Sequence, residues 1–160
     1  MLKTATLAIA AGLFTFVNGA PPISPLNRTT FQPGPSAAEA AEAAIVIASG
    51  KISGAGGRYQ GSGRAVIRRT SDSKLILDLR EFRVTRGPDL KVWLVAHPGP
   101  RRGADVTGSR HVSLGELKRS SGGQSYLIPK GTDLTKYTSV MIWCEAFGVL
   151  FAGASLSFGS

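Results

Sequence analysis

Residues 138–158 are TSVMIWCEAFGVLFAGASLSF, and this stretch determines the fold class. Successive side chains of a β-strand point to opposite faces. Alternation gives residues 139–145 one aliphatic face and one mixed face, namely Val140, Ile142 and Cys144 against Met141, Trp143 and Glu145. A second apolar run follows residues 146–148, so the sequence predicts a hairpin that turns there.

The same period of two recurs through the preceding sequence. Residues 63–82 predict a hairpin around the turn SDSK, and LKVWLVAH, HVSLGEL and QSYLIP predict three further strands. One face of these strands carries Leu75, Leu77 and Leu79, and then Leu90, Val92 and Leu94. GTDLTKY predicts a turn or a single helical turn. Short strands at regular spacing indicate an all-β domain, a small antiparallel β-sandwich or barrel.

Residues 97–111, HPGPRRGADVTGSRH, predict a long connection rich in Gly, Pro and charge. Long loops inside compact domains are often functional or mobile. His97 and His111 flank this loop and could converge, although two histidines at the edges of a loop are more often solvated.

The first 20 residues have the pattern of a secretory signal peptide, with one lysine, an apolar run at residues 5–17 and small residues before Pro21. The run is shorter than the roughly 20 residues that a membrane-spanning helix needs. We therefore expect cleavage after Gly19 or Ala20, with an uncleaved anchor as the alternative. No later stretch predicts a transmembrane segment, so the expected location is secreted or periplasmic.

The rest of the chain divides by composition. Residues 21–35 predict a Pro-rich tether. Residues 36–50 predict a short Ala-rich helix, since Ser36 and Glu39 are spaced as a capping box and Gly50 is placed to end it. Residues 51–160 are the predicted β domain.

The chain has 19 Lys plus Arg against 10 Asp plus Glu, a formal net charge of +9. This excess predicts attraction to an anionic envelope component such as phospholipid headgroups, acidic polysaccharide or an acidic protein. Export and the lack of zinc-finger, RNP-like or stacking-aromatic patterns argue against nucleic acid. The candidate basic surface, whose alternative is a dispersed solvated face, comprises Arg64, Arg68, Arg69, Arg101, Arg102, Lys118 and Arg119.

Cys144 is the only cysteine, so the domain must fold without an internal disulfide. A free cysteine on an inward face behaves as a small hydrophobe in the core. The alternative is a redox thiol or a ligand, because cationic neighbours activate thiols and the domain is rich in arginine.

Haem could serve an exported redox protein, but the CxxCH motif of covalent attachment is missing. Noncovalent binding would need an axial ligand, for which the candidates are Cys144, Met141, His97 and His111. No serine lies in a nucleophile pattern, and Asp89 and Glu116 are two carboxylates without a defined cleft. A redox or binding module is therefore a better interpretation than a catalyst.

Three separated segments carry a family resemblance: FRVTRGPDLKVWL, SLGELKRSSGGQSYLIP and LTKYTSVMIWCEAFGVLFAGASL. In this order, and over residues 54–158, they resemble the DM thirteen domain family. The resemblance implies a β-rich extracytoplasmic domain with a suspected role in electron transfer, and hence a redox partner protein. It also implies that Cys144 is the redox group, as a bare thiol or as the ligand of a prosthetic group such as haem.

Two functions follow from the sequence. The first is electron transfer through Cys144, with Trp143 and Glu145 as its neighbours on the strand. The second is a noncatalytic cell-envelope or extracellular binding module, in which Cys144 fills the core and the basic surface holds an anionic partner.

Overall fold

A computed structural model describes residues 44–159. The predicted signal peptide, the Pro-rich tether and the first part of the Ala-rich helix lie outside these residues. None of the helices in residues 44–159 is long and apolar enough to cross a membrane.

Within this range the chain forms ten β-strands. They are β1 (Ile45–Lys51), β2 (Ser53–Gly54), β3 (Gly61–Arg69), β4 (Leu75–Val84), β5 (Leu90–Val95), β6 (His111–Glu116), β7 (Gln124–Leu127), β8 (Ser139–Cys144), β9 (Val149–Ser155) and β10 (Ser157–Phe158). A short helix, α1 (Gly103–Thr107), lies between β5 and β6, and a 3-10 turn at Leu134–Lys136 precedes β8.

In the described part of the chain the strands form two five-stranded antiparallel sheets. The first sheet has the order β10-β1-β3-β4-β7, and the second has the order β2-β9-β8-β5-β6. Apolar side chains from both sheets form one core between them. The prediction of an antiparallel all-β domain is confirmed, and of its two architectures the sandwich is the one that the chain adopts.

The core contains the side chains that the alternation places inward. The members that strand periodicity predicts are Leu77 and Leu79 of β4, Leu90, Val92 and Leu94 of β5, and Val140, Ile142 and Cys144 of β8. The predicted hairpins at β3–β4 and β8–β9 are also present. A period of two was therefore a sufficient guide to the inner faces of β4, β5 and β8.

The predicted Ala-rich helix is wrong over residues 45–50, which belong to β1. This strand pairs antiparallel with β3 on one side and with β10 on the other. Ile45, Val46 and Ile47 are β-branched, and such side chains fit a pleated strand better than a helix. Gly50, predicted as the helix end, lies inside the strand.

The second sheet buries its outer face as well as its inner face. A second apolar cluster on that side consists of Trp93, Val95, Val106, Met141, Trp143 and Leu150. Val106 belongs to α1, a helix that the sequence pattern does not predict within residues 97–111. The Asp105 carboxylate caps the start of this helix. It accepts hydrogen bonds from the backbone N–H groups of Arg101 and Arg102, each at 3.0 Å. The long connection is thus a cover for the sheet.

Gly50 lies where β1 passes the backbone of β9. A Cβ atom at this position would be 2.1 Å from the Ser155 carbonyl oxygen and 3.3 Å from the Ala154 Cβ. Rotating a side chain cannot relieve a contact with a backbone carbonyl. The two sheets can approach this closely only because residue 50 has no side chain.

We expect Gly50→Ala to lower the free energy of unfolding by about 2 kcal/mol or more, because overpacking forces the backbone to shift. Gly123→Ala is the matched control, since the nearest atom to a Cβ there is 3.9 Å away, and its effect should stay within about 0.5 kcal/mol. Urea unfolding followed by tryptophan fluorescence measures both. Equal stabilities of the two variants would contradict the close approach of β1 and β9.

Candidate functional site

Cys144 is the last residue of β8 and lies inside the sandwich. Its backbone pairs with Leu90 of β5 and with Val149 of β9. The side chain is 0% exposed and belongs to the apolar core. The thiol in this conformation is therefore out of reach of solvent.

A tight segment, Gly87, Pro88 and Asp89, covers the sulfur and is called the GPD turn below. The Cys144 Sγ donates a hydrogen bond to the Pro88 carbonyl oxygen at 3.1 Å. The backbone N–H of the next residue, Glu145, donates to the Asp89 carbonyl oxygen, also at 3.1 Å. Asp89 has a φ of 47°, a left-handed conformation in which Asp is enriched among residues other than glycine. Two hydrogen bonds thus join the end of β8 to consecutive residues of the turn.

Packing holds the GPD turn from the inside. A Cβ on Gly87 would lie 2.6 Å from the Phe151 ring and 3.3 Å from the Leu90 Cδ2. Phe151 in turn packs on Tyr59, with ring centroids 4.5 Å apart. Glycine is required at residue 87 because the aromatic ring occupies the place of a side chain.

Lys91 holds the same turn from the outside. Its Nζ lies 2.7 Å from Asp89 Oδ1, 3.1 Å from Glu116 Oε1 and 3.8 Å from Glu145 Oε2. The hydrogen bonds to Asp89 and then Glu116 raise the pKa of Lys91 above its ordinary value, so the two carboxylates stabilise its charged form. Asp89 and Glu116 therefore lie together around Lys91, a residue that the sequence pattern did not identify as part of a site.

A cleft of about 530 Å³ opens beside the GPD turn. It is lined by Arg86, Gly87, Asp89, Leu90, Glu116, Leu117, Lys118, Arg119 and Ser120. The residues on both sides of Pro88 face the cleft, whereas the Pro88 carbonyl oxygen accepts the hydrogen bond of the thiol. One turn of backbone therefore separates the sulfur from the cleft.

Three aromatic rings stack on the outer face of the second sheet. The Trp93 ring lies parallel to the imidazole of His111, with centroids 3.9 Å apart and an interplanar angle of 6°. The Trp93 and Trp143 centroids are 5.5 Å apart at 29°. Both indoles are buried, whereas His111 is exposed. The stack runs from the exposed His111 to Trp143, the residue that precedes Cys144. The sequence indicated it by placing Trp93 and Trp143 on the outward faces of their strands.

The four candidate haem ligands do not form a haem site. Met141 belongs to the outer cluster of the second sheet and Cys144 to the inner core, so the two sulfurs lie on opposite faces of β8. The His97 Nδ1 accepts a hydrogen bond from the Gly99 backbone N–H at 3.2 Å, and His111 is stacked on Trp93. The cavity beside Met141 holds about 150 Å³, below the roughly 300 Å³ at which ligand pockets begin. These residues do not fit haem.

The residues of the candidate basic surface are distributed over three segments. Arg64, Arg68 and Arg69 belong to β3, Arg101 and Arg102 precede α1, and Lys118 and Arg119 follow β6. The last two line the cleft together with Arg86. The cations of the cleft outnumber its two carboxylates, Asp89 and Glu116.

The site just described lies within a segment that matches a known protein family. The model of the family described as Electron transfer DM13 matches residues 55–156 of the 160. The chain belongs to the DM13 family. The matched segment contains the GPD turn, the cleft and Cys144, and the resemblance found in the sequence motifs is confirmed. Comparisons with curated proteins and with solved structures gave no match.

The position of Lys91 in this DM13 domain leads to a prediction about the thiol. Lys91→Met keeps the length of the side chain but removes the charge that holds Asp89, so the GPD turn should open more often. We expect a severalfold faster reaction of Cys144 with a thiol reagent under native conditions, and a lower melting temperature.

Lys74→Met is the control, because the exposed ion pair between Lys74 and Asp72, at 2.6 Å, lies far along the chain in the β3–β4 turn. The native rate of thiol modification should not change in this variant. If Lys91→Met also left that rate unchanged, Lys91 would not control access to the sulfur.

Proposed function

We propose that this protein is an exported electron-transfer protein in which Cys144 is the redox group. Membership of the DM13 family supports electron transfer as the general function. The role of Cys144 is supported by one observation above the others, the hydrogen bond that holds its sulfur against the Pro88 carbonyl oxygen beneath a cleft.

The burial of the sulfur favours long-range electron transfer over thiol–disulfide exchange. Exchange requires a second sulfur to touch Cys144, and a thiol that is 0% exposed does not permit that contact. Electron transfer requires only that donor and acceptor come close. A partner docked in the cleft would be separated from the sulfur by the GPD turn alone.

The redox step balances with a partner protein that carries a one-electron acceptor. The acceptor takes one electron from the sulfur, and the S–H bond breaks. Because the sulfur is out of reach of solvent, the proton leaves to the water of the cleft only as the GPD turn opens, which leaves a sulfur-centred radical. A one-electron donor then returns the electron, and water returns the proton. Arg86, Lys118 and Arg119 give the cleft a cationic rim, which favours an acidic partner.

The same burial supports a second function, a noncatalytic envelope binding module with a structural cysteine. Cys144 lies in an apolar core, where free cysteine commonly serves as a small hydrophobe. In that function the thiol contributes packing alone, and the basic residues bind an anionic envelope component.

Flash oxidation separates these two functions. A photogenerated ruthenium(III) complex serves as the one-electron acceptor, and electron paramagnetic resonance identifies the oxidised residue. We expect a sulfur radical in the natural protein and its loss in Cys144→Ser, whose hydroxyl can still donate to the Pro88 carbonyl oxygen. The signal should persist in Trp93→Phe.

A radical confined to the indoles and unchanged by Cys144→Ser would contradict the redox role of the sulfur and favour the binding module. Circular dichroism of each variant shows that the comparison is made between folded proteins. Trp93→Phe is informative because the two indoles are alternative carriers on the other face of the second sheet.

Export is tested by the N-terminus of the natural protein. We expect the protein recovered from the periplasm or the medium to begin at Ala20 or Pro21, as found by N-terminal sequencing and intact mass. Full-length protein retained in the cytoplasm would contradict the proposed location.

A further inference from the structure

The outer face of the first sheet carries a row of three cations, called the cationic row below. Lys51 of β1 lies directly opposite Arg64 of β3, and Arg64 lies directly opposite Arg80 of β4. Neighbouring strands are roughly 4.8 Å apart, so the backbones under these side chains are close. The inward-facing residues next to the row, Ala65 and Leu79, belong to the core, which places the three cations outward.

Like charges directly opposite each other destabilise a sheet, so the row needs compensation. Asp78 lies on the same face, but its carboxylate already accepts hydrogen bonds from Arg68 and Ser125 at 2.7 Å and is 3.4 Å from Arg80. Lys51 and Arg64 form no salt bridge with any residue of the range 44–159. Within residues 44–159, Arg80 is the one member of the cationic row with an acidic partner, and the charges of Lys51 and Arg64 are not compensated.

A second row on the same face is largely apolar. Its members, paired strand to strand, are Val46, Arg68, Ile76 and Leu127. Val46 is 53% exposed and Leu127 is 61% exposed, and the Arg68 side chain is turned to Asp78. This apolar row is called the Val46–Leu127 row. Exposed apolar side chains on the same face as unpaired cations are the combination found on surfaces that bind membranes.

We propose that the outer face of the first sheet lies against an anionic phospholipid surface. Lipid phosphates would neutralise the cationic row, and the Val46–Leu127 row would enter the boundary between headgroups and acyl chains. A soluble polyanion would leave the apolar row in water, so charge and apolarity together favour the lipid. The proposal does not depend on the electron-transfer function of Cys144.

Vesicle co-sedimentation with the full chain tests the proposal. We expect binding to vesicles of equimolar phosphatidylcholine and phosphatidylglycerol, weakened by salt, and no binding to phosphatidylcholine alone. Each basic residue at a membrane surface contributes about fivefold in affinity, so Lys51→Gln with Arg64→Gln should weaken binding roughly 30-fold. The melting temperature of this double variant should equal or exceed that of the natural protein, because the substitutions remove a repulsion.

The matched control is Arg58→Gln with Arg110→Gln, which removes the same charge from two exposed residues outside the strands of the first sheet. This control should bind within about twofold of the natural protein, apart from the general effect of net charge. Leu127→Ser should weaken the binding roughly fivefold, through loss of apolar contact.

Three results would overturn the proposal. Equal losses in the two double variants would mean attraction by net charge without a specific face. Binding to heparin or dextran sulfate but not to the anionic vesicles would mean that the face recognises an acidic polymer. No binding to the anionic vesicles at low salt would mean that the face has no lipid partner.

Discussion

The contact between the end of β8 and the GPD turn determines what Cys144 can do. The thiol and the Glu145 backbone N–H donate to consecutive carbonyl groups, those of Pro88 and Asp89. Lys91 joins the side chains of the same two segments, since it lies near both Asp89 and Glu145. Opening the turn would break these contacts together and would disturb the packing of Phe151 against Gly87. Access to the sulfur therefore requires the whole turn to open. A small reagent reaches the sulfur only after that opening, whereas an electron can pass through the closed turn.

The second sheet differs from an ordinary sandwich sheet, because both of its faces are covered. All six residues of β8 are buried, with the main core on one side and the indoles of Trp93 and Trp143 under α1 on the other. A strand of this kind cannot show a simple alternation of apolar and polar residues, and SVMIWC contains no charged residue. Water is excluded from both sides of the strand that carries Cys144, so the surroundings of the sulfur are of low polarity. Such surroundings suit a protected redox group as well as a purely structural thiol.

The period of two predicted the strands and their inner faces, but it could not predict contacts set by strand register. Lys91 meets Glu116, and Trp93 meets His111, because β5 pairs with β6 in one particular alignment, and nothing local to β5 determines that alignment. The three apolar residues at the start of β1 were misassigned for a different reason, since the periodicity of a short apolar run does not distinguish a strand from a buried helix, and only their β-branched side chains favoured the strand. The sequence of α1 has no periodicity, and the helix depends on Asp105 capping a single turn.

The GPDL motif, residues 87–90, was recognisable in the sequence as a unit. The role of each of its residues depends on contacts that only the three-dimensional structure shows. Gly87 makes room for Phe151, Pro88 accepts from the thiol, Asp89 binds Lys91, and Leu90 pairs with Cys144.

The topology separates the cleft from the cationic row. The cleft is built by the β4–β5 and β6–β7 connections, and each of these crosses from one sheet to the other. Segments that cross between sheets run along the ends of a sandwich, whereas the cationic row lies on the outer face of the first sheet, with Lys51 at the edge that adjoins the second sheet. A lipid surface against that outer face would leave the ends of the sandwich in water, with the GPD turn open to a protein partner. The two proposed surfaces can thus be occupied at once, because a sandwich presents its sheet faces and its connecting turns in different directions.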